Sequence, residues 1–302
     1  DEGEMTTKGD FVAMSETMMV QNLSMIADAF VNDAFACAHR SSPSIVGFTN
    51  VLPCVAGELM NYELSKLGQA LENPKRPCIA VLGGIKVDDS VVVADNMLRG
   101  GISDHIWVTG GVANLFLHLS GIDLGELNVN FLKNEIKEKW DETVAIASAL
   151  LKDFPECIIM PSDVALNITG NRVDHPLKDL PIEAPIFDLG ITSIQSLSKA
   201  IKSAGTIILN GPAGVFEVSD FALGTIEMLN ACAESEGYAV MGGGHTATLV
   251  SQRGLTGKMG HVSTGGGASL ELLAGRTLPG LASLEESAKQ FRFSISKPLD
   301  HQ

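Results

Sequence analysis

Basic residues are scarce in this sequence: 21 Lys and Arg stand against 36 Asp and Glu over 302 residues, a net charge of −15. That balance argues against a nucleic-acid or anionic-membrane surface, because either needs a basic footprint. Aromatic residues are also few, at 5%. The five cysteines (Cys37, Cys54, Cys78, Cys157 and Cys232) are scattered, odd in number and never form a C-x-x-C pair. This speaks against a disulfide frame and a zinc site and fits a reducing, cytoplasmic setting. No apolar run reaches the length of about 18 residues that a transmembrane helix requires, and no signal peptide precedes Asp1. No initiator methionine opens the chain, and the polar stretch Asp1 to Asp10 reads as a cut end or a loop.

What the chain has is aliphatic residues and glycine: 45% apolar positions and 31 glycines, a profile that suits a buried parallel sheet flanked by helices. Its length predicts two lobes, or one large lobe with an appendage. Apolar positions from Phe11 to Phe30 (Val12, Met19, Leu23, Ile26, Ala27) recur at helical spacing and predict one amphipathic helix. A short strand follows at Val31 to Phe35, and a second helical pattern at Val55 to Leu71. Asn73-Pro74-Lys75-Arg76-Pro77 then breaks the chain. Beyond it, strands are predicted at Cys78–Leu82, His105–Val108, Cys157–Met160, Thr206–Leu209, Tyr238–Met241 and Gly260–Ser263. Helices are predicted between them at Asn130–Leu151, Ser193–Lys202, Phe221–Glu236 and Ala268–Ala274. Such alternation predicts an α/β fold with a doubly wound, parallel, Rossmann-like sheet. Pro161 to Pro185 interrupts it with a hairpin-like excursion that has Gly170-Asn171 at its turn.

In doubly wound sheets, ligands bind beyond the carboxyl ends of the strands. Glycine clusters fall there repeatedly: Gly83-Gly84, Gly110-Gly111, Gly211 with Gly214, Gly242-Gly243-Gly244 and Gly265-Gly266-Gly267. In the last, Ser263 to Ser269 reads as strand, glycine run and helix, a place where backbone amides and a helix N-terminus would hold an anion such as phosphate. A plain strand-to-helix turn is the competing reading of any one such loop. No G-x-x-x-x-G-K-[ST] string exists, so there is no P-loop. Gly242-Gly243-Gly244-His245-Thr246-Ala247 satisfies a loose G-x-G-x-x-A pattern, but the acid expected about 20 residues later is missing. A dinucleotide-dependent oxidoreductase is therefore kept only as an alternative.

Taken together, NDAFACAHR (Asn32 to Arg40), LGGIKVDDS (Leu82 to Ser90), LNGPAGVFE (Leu209 to Glu217), GGGHTA (Gly242 to Ala247) and HVSTGGGASLELLAG (His261 to Gly275) resemble phosphoglycerate kinase from about Val20 to Gly280. His245 stands where many members have Asp, and Ser42 and Ser90 replace a His and a Lys, departures that resemble the archaeal branch. The resemblance implies phosphoryl transfer between 1,3-bisphosphoglycerate and ADP, giving 3-phosphoglycerate and ATP, with Mg2+ entering as the metal–nucleotide complex and no protein metal site assigned. It further implies a monomer in the full-length parent. The implied lobes are a remnant of the phosphoglycerate-binding lobe at 1–54, an interdomain helix and hinge at 55–76, a nucleotide lobe at 77–281, and a tail at 282–302 that returns to the first lobe.

The same resemblance implies roles. Lys86 neutralises the phosphoryl group in transit, and Gly265, Gly266 and Gly267 hold that group with their amides, Lys86 opposite. Arg40 and His39 meet the phosphoglycerate phosphate. Gly110 and Gly111 leave room for adenine, Glu217 bonds the ribose, and Asn210 with Gly242, Gly243, Gly244, His245 and Thr246 serves the nucleotide phosphates. Taken singly, Lys86 reads as a solvated loop lysine, Glu217 and Asn210 as turn residues, Gly110-Gly111 as a helix entry and Arg40 as a surface ion-pair partner. The family's other phosphoglycerate-binding arginine motifs are not found here. This predicts an incomplete second α/β lobe, with exposed strand edges and an unfilled core face over residues 1–54. It also leaves a second functional reading, a nucleotide-binding module with little or no turnover.

Overall fold

The computed structural model describes residues 10–291 and divides into two compact units. One comprises the residues up to Gly68 together with those from Thr264 onward, and the other is Gln69–Ser263. The first border falls inside the helix Glu58–Glu72. Residues 264–281, which the family resemblance assigns to the nucleotide lobe, pack with the first unit. The expectations for Asp1 to Gly9 and for 292–302 of the tail lie outside the described residues.

In the first unit the single helix expected over Phe11–Phe30 is two helices, Phe11–Ser15 and Met18–Ser24. Hydroxyl side chains compete for the backbone at the break: Ser15 Oγ donates to Val12 O at 2.6 Å and Thr17 Oγ1 to Met14 O at 2.9 Å, while Thr17 is extended (φ −63°, ψ 143°). The break also changes which residues face inward. Met14 and Val20 are fully buried, whereas Val12 and Ile26 of the expected stripe are 61% and 82% exposed.

Strand β1 (Phe30–Asn32) pairs in parallel with β2 (Cys54–Ala56). The expected strand end at Phe35 is instead a 3-10 turn, Phe35–Cys37, preceded by a tight bend in which Ala34 N–H donates to Asn32 Oδ1. Phe30 stacks on Phe48 at 4.5 Å, and Val20, Phe48, Leu52, Cys54 and Leu284 form a small core. Val31 and Val55 sit opposite each other and are 58% and 43% exposed, so this face of the narrow sheet carries exposed apolar side chains. Asp33 accepts from Met60 N–H at 2.9 Å and caps the helix Glu58–Glu72. In the helix Pro279–Gln290, Ser287 Oγ accepts from Cys54 N–H at 2.9 Å and fastens β2.

The second unit carries β3 (Cys78–Leu82), β4 (His105–Val108), β5 (Ile158–Ile159), β6 (Asp163–Ile168), β7 (Asn171–Pro176), β8 (Ile186–Leu189), β9 (Thr206–Asn210), β10 (Tyr238–Gly242) and β11 (His261–Val262). Among the described residues, six strands form a parallel sheet in the order β11-β10-β9-β3-β4-β5. Counted along the chain this is 3-2-1-4-5-6, the doubly wound order in which the winding reverses between the first and fourth strands, here β3 and β9. Those two strands are buried throughout. Ile79, Val81, Ile207 and Leu209 share a core with Ile194, Leu197 and Ile201 of the helix Ile191–Ser203 and with Met228 and Leu229 of the helix Leu223–Glu234.

The expected excursion is a second, antiparallel sheet, β7-β6-β8. Its hairpin turns at Thr169 (φ 51°) and Gly170 (φ 90°), one residue earlier than predicted, because Ile168 pairs with Asn171 and Gly170 N–H donates to Asn167 Oδ1. The long helix expected at Asn130–Leu151 is divided into Glu126–Ile136 and Trp140–Asp153 by a 3-10 turn at Lys137–Lys139. None of those three charged residues is buried, so nothing apolar holds a continuous helix on the sheet.

Candidate functional site

The reversal between β3 and β9 places two loops side by side beyond their carboxyl ends, and the backbone locks them together. Gly83 N–H donates to Asn210 O at 2.8 Å, Gly84 N–H to Pro212 O at 2.8 Å, and Gly111 N–H to Gly84 O at 3.0 Å. The glycines make this approach possible. A Cβ on Gly83 would lie 2.2 Å from Thr109 Oγ1, on Gly211 2.3 Å from Gly83 O, and on Gly110 and Gly111 2.9 Å from Gly84 N and Gly84 O. Gly110 and Gly111 therefore have a packing role in this seam, one that the sequence reading, a base pocket or a helix entry, does not contain.

The glycines after β10 differ. Gly243 adopts φ 96° as the N-cap of the helix Gly244–Gln252, and a Cβ on Gly244 would meet nothing within 4 Å. With glycine at the cap, no described side chain occupies the first-turn amides, and the first turn holds no acid. Thr246 is buried there, and its Oγ1 has no hydrogen-bond partner among the described residues. Asn210 is also buried, with Oδ1 3.5 Å from the Cβ position of Gly243. The side chain of His245 lies outside what the structure describes.

Other helices at this edge of the unit are already capped by carboxylates. Asp163 accepts from Thr192 N–H at 3.0 Å, Ser193 N–H at 2.8 Å and Ser193 Oγ at 2.5 Å. Burial pushes its carboxyl up, but these bonds outweigh burial and hold it below the usual carboxylate range. Asp188 likewise accepts from Gly224 N–H at 2.8 Å, at the start of the helix Leu223–Glu234. An anion would be repelled at those helix starts, whereas the start at Gly244 offers amides, a free hydroxyl and an amide side chain.

Lys86 lies on the β3 side of the seam, at the N-cap position of the helix Val87–Arg99. It is exposed and, among the described residues, forms no ion pair. Four residues on, Ser90 is buried with its hydroxyl unpartnered among the described residues. Glu217 is exposed on the loop between β9 and the helix Leu223–Glu234. Among the described residues, no group of three or more His, Cys, Asp and Glu side chains is placed to hold a metal ion.

The remaining site residues lie in the first unit. Gly266 (φ 50°) caps the short helix Gly267–Leu273 and has nothing near its Cβ position. Its neighbours are packed: a Cβ on Gly265 would lie 2.2 Å from the buried Phe35 ring, and one on Gly267 would lie 3.0 Å from His39 Nε2. The structure thus brings the glycine run and the His39-Arg40 pair together, two motifs that the sequence separates by more than two hundred positions. His39 Nδ1 is buried without a partner among the described residues, and Arg40 is exposed. Just ahead of the run, Thr264 donates through N–H and Oγ1 to buried Glu63 at 2.8 and 2.7 Å. Sequence reasoning missed Glu63, and it also missed Asp188 with its partner Arg172. For Asp188 a signal existed, an acid immediately before the strand-end pair Leu189-Gly190.

Comparison with known proteins gives a consistent picture. A family model described as phosphoglycerate kinase matches residues 2–276. The chain is 46% identical over 284 residues to the phosphoglycerate kinase of Methanothermobacter thermautotrophicus, covering 94% of this chain and 68% of that one. It is 42% identical over 287 residues to that of Methanothermus fervidus, covering 95% and 69%. Among solved structures, the phosphoglycerate kinase of Pyrococcus horikoshii is similar with a TM-score of 0.87 at 39% identity, over 96% of this chain and 72% of that chain. The phosphoglycerate kinase of Coxiella burnetii is similar with a TM-score of 0.74 at 32% identity, over 91% and 70%.

Proposed function

We propose, because the chain belongs to the phosphoglycerate kinase family, that it transfers a phosphoryl group reversibly between 1,3-bisphosphoglycerate and ADP. In the forward direction the acyl phosphate's P–O bond breaks, its electron pair stays on the carboxylate of 3-phosphoglycerate, and a terminal oxygen of ADP bonds the phosphorus to give ATP. The observation that carries this reading is the uncapped helix start at Gly243-Gly244. There, among the described residues, no side chain caps the first-turn amides, a Cβ on Gly244 would meet nothing within 4 Å, and the buried Thr246 hydroxyl and Asn210 lie close by. That donor set suits the oxygens of a polyphosphate.

The second unit takes the nucleotide. Gly242 to Thr246, His245 included, and Asn210 serve its phosphates, Glu217 the ribose, and Gly110-Gly111 the side on which adenine lies. Magnesium enters with the nucleotide as part of the substrate, since the first turn of the cradle supplies no acid. Lys86, with no competing ion pair among the described residues, neutralises charge on the phosphoryl group in transit. In the first unit His39 and Arg40 take the phosphoglycerate phosphate, a task for which a guanidinium fork is suited. The amides of Gly265 to Gly267 meet the transferring group. A cytoplasmic setting is in keeping with the five free cysteines, and a monomer is the state proposed for the full-length parent. Among the described residues, no helix is long and apolar enough to cross a membrane.

The test is a titration of ADP with magnesium into the purified chain, followed by a coupled assay of 3-phosphoglycerate-dependent ATP consumption. Lys86→Ala should lower turnover by at least about 10²-fold, the scale for losing one preorganised charge partner of the transition state, with ADP affinity largely kept. Saturable ADP binding without turnover would identify a nucleotide-binding module instead. Failure to bind ADP would remove the site assignment altogether. Nothing in the structure favours a dinucleotide-dependent oxidoreductase, since the turn after β3, Gly83-Gly84-Ile85-Lys86-Val87-Asp88, lacks the G-x-G-x-x-G spacing.

A further inference from the structure

The loop that joins β9 to the helix Leu223–Glu234 carries Glu217 at its exposed crest, and a buried ion pair fixes the backbone on both sides of that residue. Asp188, at the end of β8, is buried. Its Oδ2 accepts from Arg172 Nη1 at 2.7 Å and from Gly224 N–H at 2.8 Å, just beyond the end of the loop. At the near end, Gly214 packs directly on the same carboxylate: a Cβ there would lie 2.5 Å from Asp188 Oδ1, and one on Gly224 would lie 2.2 Å away. The neighbouring Phe187 O accepts from Val215 N–H at 2.7 Å, and the Phe187 ring meets Phe221 edge-on at 5.1 Å.

Arg172 reaches the loop as well as the carboxylate. Its Nη1 donates to Asp220 O at 3.2 Å, while Nη2 donates to Leu189 O at 2.7 Å and to Asp174 Oδ1 at 3.1 Å. Positions 214, 215, 220, 221 and 224 are therefore all held from β7 and β8, and Glu217 lies in the middle of that span. Ala213 N–H, bonded to the buried Thr225 hydroxyl at 3.0 Å, closes the base of the loop. A buried pair of this kind adds little net stability over apolar residues of the same size, because desolvation offsets the attraction. Its placement across both ends of one functional loop needs a different explanation.

We infer that Arg172 and Asp188 are positioning residues for the nucleotide site: they hold the 211–222 loop so that the Glu217 carboxylate is preset to bond the nucleotide ribose. This rests on the role proposed above for Glu217. Holding a carboxylate in place before the ligand arrives removes an ordering cost from binding. The effect is specific to the ribose hydroxyls and does not extend to phosphoglycerate.

The experiment compares ADP with 2′-deoxy-ADP and 3′-deoxy-ADP by calorimetric titration of the full chain and of Glu217→Ala, Arg172→Gln and Arg172→Gln with Asp188→Asn. The double variant removes both charges, so no charge is left buried alone if the single variant folds poorly. Thermal midpoints and the KM for 3-phosphoglycerate are read alongside. The full chain should prefer ADP over at least one deoxy analogue, and Glu217→Ala should abolish that preference. The Arg172 variants should reduce it at least threefold and leave the KM for 3-phosphoglycerate unchanged. Folded Arg172 variants with a lower midpoint and an unchanged preference would overturn the inference and leave the pair as scaffolding, with the ribose role of Glu217 intact. A preference that survives Glu217→Ala would overturn the ribose role itself, and the inference with it.

Discussion

Alanine substitution should separate the glycines that leave room for a ligand from those that leave room for the protein, and Gly244 and Gly265 form the sharpest pair. At Gly244 an added methyl meets nothing within 4 Å and the residue stands in the first turn of a helix. Alanine there should be neutral or should stabilise by up to about 1 kcal/mol, the helix-propensity difference between the two residues. The same methyl stands where a phosphate would approach the first-turn amides. Loss of a charge-assisted hydrogen bond of about 1.5–3 kcal/mol corresponds to roughly 10- to 100-fold weaker ADP binding. At Gly265 the methyl would overlap a buried Phe35 ring carbon at 2.2 Å. The ring has no open side to move into, and overpacking of this sort costs about 1–3 kcal/mol. Denaturant unfolding of both variants, paired with ADP titration, reads the two effects separately. An unchanged ADP affinity in Gly244→Ala, or an unchanged stability in Gly265→Ala, would refute the assignment by open space on which the site rests.

Two further outcomes are expected. Thr246→Val keeps the shape and removes a buried hydroxyl that has no partner among the described residues. Stability should hold or rise by up to about 1 kcal/mol while ADP binding falls by up to about tenfold, the net worth of one hydrogen bond; a loss of stability with affinity intact would show that the hydroxyl serves the fold. Asp163 is held below the usual carboxylate range by its bonds to Ser193 and Thr192. Its stabilising effect is therefore present above the unfolded-state value of about 3.9 and is lost as pH falls through the lower folded-state value. Asp163→Asn should cost about 0.5–2 kcal/mol at neutral pH, the range for a helix cap, with the gap between variant and parent closing on acidification. A gap that stays constant down to about pH 2.5 would contradict this.

Much of the second unit was legible because its periodicities are strong: β3 and β9 are apolar runs bounded by turn residues, and each is followed by a glycine cluster. The clusters marked the correct edge of the sheet, yet their individual duties were not readable. Gly110 and Gly244 look alike as letters, but Gly110 packs against another loop and Gly244 faces open space, and no local pattern distinguishes them. Similarly, His39 against Gly267 depends on a chain reversal across most of the molecule that no local pattern encodes. The failure at Phe11–Phe30 has a local cause. Ser15 and Thr17 turn their hydroxyls onto the backbone, which divides the helix and changes which residues face inward. The Arg172–Asp188 pair was invisible because its two members are joined only when β6 pairs with both β7 and β8.

The seam between the loops after β3, β4 and β9 is closed largely by main-chain hydrogen bonds, with the Thr109 hydroxyl as a close side-chain neighbour of Gly83, so its shape depends little on the exposed side chains around it. In a scan of every substitution along these loops, tolerance should therefore alternate sharply from one residue to the next. Ile85, exposed between Gly84 and Lys86, should accept nearly any replacement, whereas Gly83, Gly111 and Gly211 should accept none without loosening the platform. Between those invariant points the loops are free to exchange side chains, so the surface offered to a ligand can be retuned one residue at a time without rebuilding the edge that carries it.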